Sequence, residues 1–218
     1  MSDQCKWQHE QLEQLPIVNF PFKLGQLPKN GIYFFYEQTE SWGHGGKKQR
    51  IVRVGTHRNG NFRNRIAEHF LLNKTKMNFD NDRPKPSDRS IFRKNIGRAL
   101  LNKLKDDYLE VWNRDFIKRA NKINFGHKRE IEKEKKIESE ITRILRTSFS
   151  FKYIELDNQT ERMGKSGLES SLIGTLAQCK LCNPSKVWLG NDLLRTTLFS
   201  LAGIVLLYVG TKKLSRTE

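Results

Sequence analysis

An α+β fold, with a small three-stranded mixed or antiparallel sheet flanked by helices and a charged helical insertion, is what this sequence predicts. Three features carry that expectation: two β-branched and aromatic runs close together early in the chain, helical spacing after them, and a third strand-like run far downstream. The boundaries expected are a leader over 1–30, a domain over 31–190 with the insertion at about 105–148, and an apolar segment with a basic tail over 191–218.

Pro16, Pro21 and Pro28 break up the leader, and Leu-Pro-Lys-Asn-Gly ending at Gly31 signals a turn into the first element. Ile32 to Tyr36 suits a strand buried on both faces. The Gly- and Lys-rich run from Ser41 to Gln49 turns the chain into a second strand, Arg50 to Val54, as an antiparallel hairpin with a long loop. Phe62, Ile66, Ala67 and Phe70 then recur at three and four residues, which predicts a helix. Asn73 to Arg89 is polar, carries Pro84 and Pro86, and reads as a mobile loop before Ser90 caps a second helix, Ile91 to Leu104. Lys128 to Thr147 alternates Glu and Lys around Ile131, Ile137, Ile141, Ile144 and Leu145, a long exposed helix whose charges form a solvated face. Phe149 to Leu156 reads as the third strand and Gly167 to Cys179 as a last helix.

The 218 residues carry 40 Lys and Arg against 24 Asp and Glu, a formal charge of +16. Such an excess makes a polyanion the natural partner. It concentrates between Arg58 and Lys105, where thirteen Lys or Arg face four acids. From this segment Arg58, Arg63, Lys74, Lys76, Arg89, Arg93 and Lys94 are the candidate nucleic-acid contacts. Three cysteines are too few for a secreted disulfide framework, and the N-terminus lacks the apolar stretch of a signal peptide, so a cytoplasmic, nucleoid-associated protein is expected. Cys179 and Cys182 form a C-x-x-C, but no second such pair completes a zinc tetrahedron, so the pair reads as a chance feature of a helix-to-loop junction. Thr196 to Thr211 is uncharged yet slightly short for a membrane span, and a buried C-terminal element is expected there rather than a tail anchor.

Arg65 has the planar fork that grips phosphate oxygens, and His69, four residues on, projects from the same helix face. Glu169 lies on a helix otherwise suited to packing, so its charge needs a partner such as a hard cation or Arg65.

Gly31-Ile32-Tyr33 on the first strand, Arg53-Val54-Gly55 ending the second, Arg65 and His69 on the next helix, and Glu169 on the late helix together resemble the GIY-YIG nuclease family, over about Gly31 to Asn183. The resemblance implies a DNA endonuclease, restriction-like or repair-like, acting on double-stranded DNA. It implies one Mg²⁺ or Mn²⁺ held by Glu169, Tyr33 positioning the attacking water, Asn183 supporting the site, and no small-molecule cofactor. Ser90, Phe92, Arg93 and Asn95 resemble a bacterial branch of that family, which would make Arg93 a phosphate contact. The sequence departs from the pattern at Arg53, which stands where the second tyrosine would be and cannot accept a proton. Either Arg53 contacts phosphate or His57 takes part of the missing role; a catalytically inactive DNA-binding protein of the same fold is the alternative. The loop between the strands is also longer than the family's hairpin and looks inserted.

Overall fold

The computed structural model describes residues 2–193. The apolar 196–211 segment lies outside the described residues, and no helix among them is long and apolar enough to cross a membrane. The element order is α1 (Ser2–Glu13), β1 (Val18–Asn19), β2 (Ile32–Ser41), β3 (Gln49–Thr56), α2 (Phe62–Phe70), α3 (Ile91–Lys103), α4 (Leu109–Asn113), α5 (Arg119–Phe125), α6 (Ile131–Ser148), β4 (Phe149–Ile154), α7 (Gln159–Arg162) and α8 (Leu168–Ala177).

The expected α+β architecture is present, with a four-stranded sheet in the order β1-β4-β2-β3 and every pairing antiparallel. The additional strand is two residues long, too short to leave a period in the sequence, and it comes from the stretch expected to be a leader. The same stretch supplies α1, which packs against α8.

β2 is central and covered on both faces. Tyr33 and Phe35 point into a cluster built with Phe62, Ile66 and Phe70 of α2, Phe92 of α3, and Ile141 and Leu145 of α6. Ile32, Phe34 and Tyr36 point into a second cluster with Cys5 and Leu12 of α1 and Leu172 and Leu176 of α8. This is the alternation of a pleated strand, and two covered faces explain why the run Ile32–Tyr36 is apolar without interruption.

The charges of α6 correct the expectation of a solvated face. Glu132, Lys135, Glu140 and Arg143 do lie outward in pairs three residues apart. Glu134 and Glu138 are fully buried. Glu138 takes Arg93 Nη2 at 2.7 Å and the Ser87 N–H at 2.7 Å, and Glu134 takes Arg129 Nη2 at 2.6 Å. Arg129 Nη1 in turn donates to the carbonyls of Asp80, Asn81 and Arg83. The 73–89 loop, expected to be mobile, is thereby tied down at its second half, where Lys85 is buried and paired with Asp88 at 3.1 Å.

A buried ion pair that loses one member leaves the other charge uncompensated in low dielectric. Replacing Glu138 with Ala therefore lowers unfolding stability by about 3–5 kcal/mol. Replacing exposed Glu132 on the same helix changes it by less than about 0.5 kcal/mol. Urea melts of the two variants check this, and equal effects would refute the buried-pair account.

Candidate active site

The site lies on the face of β2 and β3 that meets α2 and α3. Tyr33 opposes Gly55 across the two strands and Phe35 opposes Arg53, so Tyr33 and Arg53 lie two pairs apart on the same side of the sheet. The Tyr33 ring lies directly over Gly55: a Cβ there would come 2.4 Å from the ring, so a side chain at Gly55 would expel the tyrosine. The register shifts just beyond Phe35. Such a bulge sets two consecutive residues against one, and here Val52 and Arg53 both turn to the α3 face.

Tyr33 and His69 form the centre. Tyr33 Oη is 3.1 Å from His69 Nε2, and His69 Nδ1 is 2.8 Å from Ser90 Oγ. Ser90 also caps α3, its Oγ accepting the Arg93 N–H at 3.3 Å. His69 is fully buried, and burial, then the charges of Arg65, Arg53 and Arg93, holds it well below the usual histidine value, so it is neutral at physiological pH. One ring nitrogen of a neutral imidazole donates and the other accepts, which makes the Tyr33–His69–Ser90 series a path for one proton.

Arg53 is almost wholly buried, with its guanidinium 4.9 Å from the centre of the Phe92 ring. Its Nε and Nη1 have no hydrogen-bond partner, and no carboxylate pairs with it, among the described residues. Arg65 is half-buried. Its Nη1 donates to Glu68 at 3.1 Å and to the Arg89 carbonyl at 2.6 Å, and no hydrogen bond engages Nη2 or Nε among the described residues.

Glu169 sits in the first turn of α8, which packs on β3. Its Oε1 accepts the Thr56 N–H at 3.1 Å. Burial raises its pKa, against the pull of the Thr56 N–H and the Arg53 charge in the other direction. No Lys, Arg or His lies within ion-pair distance of it among the described residues. A half-buried carboxylate so placed fits a hard divalent cation that keeps most of its waters.

His57 follows β3 and is half-buried, its Nδ1 accepting the Arg58 N–H at 2.7 Å. Burial and the Arg65 charge lower its pKa. Asn183 stands apart from this group: its amide donates to the Lys180 carbonyl at 2.8 Å, in the turn holding Cys179 and Cys182. Of the cations expected to meet nucleic acid, Arg58, Lys74, Lys76 and Arg89 are exposed. Arg63 is partly engaged, donating to the carbonyls of Leu27 and Gly25. Arg93 and Lys94 differ from expectation. Arg93 is fully buried among Glu138, Thr142 and the His69 carbonyl, and Lys94 pairs with Asp88 and donates to the Arg114 carbonyl. They brace α3 and the backbone of His69 rather than facing solvent.

Arg162, which the sequence reading did not single out, is also buried. Nη1 donates to Thr56 Oγ1 at 2.9 Å and to the His57 carbonyl at 2.7 Å, and Nη2 donates to Asn59 Oδ1. It fixes the chain between β3 and α2 and hence the spacing of His57 and Glu169. Its four-residue helix carries no period that could have revealed it. Ser90 was legible as a cap but not as the partner of His69.

A family model described as GIY-YIG domain matches residues 18–200. No curated protein and no solved structure matches the chain.

The depressed His69 sets a pH response. An unfolded histidine takes up its proton near pH 6.5, whereas folded His69 does so only at lower pH. Between those values the unfolded state binds more protons, so stability falls as pH drops through 6.5. His69→Asn removes that contribution, and its unfolding free energy will decline less than the wild type's between pH 7 and pH 5. Parallel slopes for the two proteins would show that His69 is not buried in its neutral form.

Proposed function

The chain belongs to the GIY-YIG family, whose domains are nucleases that cut DNA, and we propose that it hydrolyses double-stranded DNA as an endonuclease dependent on one divalent ion at Glu169. The observation that carries this reading is Arg53, a buried cation with two unpartnered nitrogens beside Tyr33, His69 and Glu169. An unpaired buried charge is costly, and an anion such as the scissile phosphate is what compensates a guanidinium. The residue that departs from the family pattern is thus read as a phosphate ligand.

Arg65 supplies the second grip, through the edge of its guanidinium that Glu68 and the Arg89 carbonyl leave free. Tyr33 Oη takes a proton from the attacking water while passing its own to His69 Nε2; Ser90 Oγ accepts from Nδ1 and fixes that tautomer. A neutral His69 keeps an unprotonated Nε2 facing Tyr33 throughout the physiological range. Glu169 is the residue that would hold Mg²⁺ or Mn²⁺, and the Thr56 N–H orients its carboxylate. Such an ion, when bound, supplies positive charge near the phosphate and the leaving oxygen. Exposed Arg58, Lys74, Lys76 and Arg89 extend the positive surface and would hold the flanking backbone, consistent with a nucleoid setting.

Two substitutions test the reading. Glu169→Gln keeps size and helix, so DNA binding survives in a gel shift with Mg²⁺ while cleavage falls roughly a hundred- to a thousand-fold. Undiminished cleavage would remove Glu169 as the ligand. Arg53→Met deletes an uncompensated buried charge at similar volume, so the melting temperature stays level or rises while cleavage drops about a hundred-fold or more. If the wild type cuts no DNA across many sequences yet binds it, the catalytically inactive alternative holds.

A further inference from the structure

Outside the active site, four soft or borderline ligands converge from three separate segments: Cys5 on α1, His44 in the loop between β2 and β3, and Cys179 and Cys182 just after α8. Their ligand atoms all lie within 4.8 Å of one another, and the three thiols are buried. From these we propose that the protein holds a structural zinc ion in a closed Cys₃His site, separate from the catalytic carboxylate.

The spacing fits a tetrahedron. With Zn–S near 2.3 Å and Zn–N near 2.0–2.1 Å, ligand atoms at tetrahedral angles stand about 3.8 Å apart for sulfur pairs and about 3.5 Å apart for sulfur and nitrogen. Cys5 Sγ is 3.7 Å from Cys182 Sγ, and Cys179 Sγ is 3.3 Å from His44 Nε2. A disulfide would bring two sulfurs to about 2.05 Å, so no pair here is bonded. Three thiolates and one imidazole are the donor set that selects zinc, and four protein ligands leave no position for a substrate.

The surroundings are those of a metal site. The Gly43 N–H donates to Cys182 Sγ at 3.4 Å, the bond a metal-bound thiolate needs to spread its charge. His9 is a brace and not a fifth ligand: its Nε2 accepts the Ile51 N–H at 3.3 Å, so Nδ1 carries the hydrogen and meets the Cys5 carbonyl at 2.9 Å. Gly43 is required by close approach, since a Cβ there would stand 1.7 Å from the Leu181 carbonyl oxygen. Only a glycine lets the loop press on the Cys179–Cys182 turn and present His44 beside it. The long loop and the C-x-x-C thereby acquire one joint explanation.

The consequence is mechanical. The site ties α1 and the β2–β3 loop to the end of the helix whose first turn carries Glu169, so it holds α8 against the sheet. Elemental analysis of the full chain, purified under reducing conditions without chelator, will find one zinc per molecule. Cys182→Ser and His44→Ala will lose it, whereas Glu169→Gln will keep it, which separates this site from the catalytic ion. Should the variants fail to fold, cobalt exchanged into the wild type reads the site directly. Thiolate charge-transfer bands and the intense visible bands of tetrahedral cobalt are then expected, and a chelator that removes zinc will lower the melting temperature. Wild-type protein without stoichiometric zinc, with no such cobalt spectrum and with chelator-insensitive melting, would overturn the proposal even if the enzyme cuts DNA.

Discussion

Because β2 is covered on both faces, the Tyr33 hydroxyl has almost no solvent and must find its partner inside the protein. That partner is His69 Nε2, and the rest of the site is arranged around keeping the pair in register. Gly55 makes room for the tyrosine ring, Ser90 holds the far side of the imidazole, and Arg93 takes the His69 carbonyl at 3.0 Å. Arg93 is itself held by Glu138 from α6, so the helical insertion reaches the site through one buried ion pair. A chain of this kind transmits disturbance readily, since buried polar groups cannot exchange a lost partner for water.

The elements visible in the sequence were those with a period. The uninterrupted apolar run of β2, the three-and-four spacing of α2 and α3, the Ser90 cap and the run from Phe149 were all legible, because each pattern reflects local geometry. Long-range pairing was not. Glu134 and Glu138 look the same in sequence as Glu132 and Glu140, and what distinguishes them is the presence of Arg129 and Arg93 across a packed interface. The same limit hid Cys5 and His44 as companions of Cys179 and Cys182: four ligands spread over most of the chain form no motif, and the fold alone collects them. Arg93 and Lys94 failed as surface cations for a related reason, since charge counts do not say which way a helix faces.

Arg53 gathers these threads. It stands on the same sheet face as Tyr33, two pairs along, and at the position that the resemblance gives to a second tyrosine, yet it cannot take a proton. Its positive charge instead depresses His69 and acts on Glu169 in the opposite sense to burial. One residue thus adds to the burial and the Arg65 charge that keep the imidazole neutral, and pulls the carboxylate toward its ionised form against burial. A tyrosine there would be neutral at physiological pH and would do neither. In the proposed mechanism the exchange removes a second hydroxyl from the water-activating side and adds a fixed charge on the phosphate side, so more of the proton transfer would fall on Tyr33 and His69. The near-complete burial of that pair is consistent with the burden: apart from the attacking water itself, Tyr33 and His69 have few competing partners, and a proton leaving Tyr33 has His69 as its nearest acceptor.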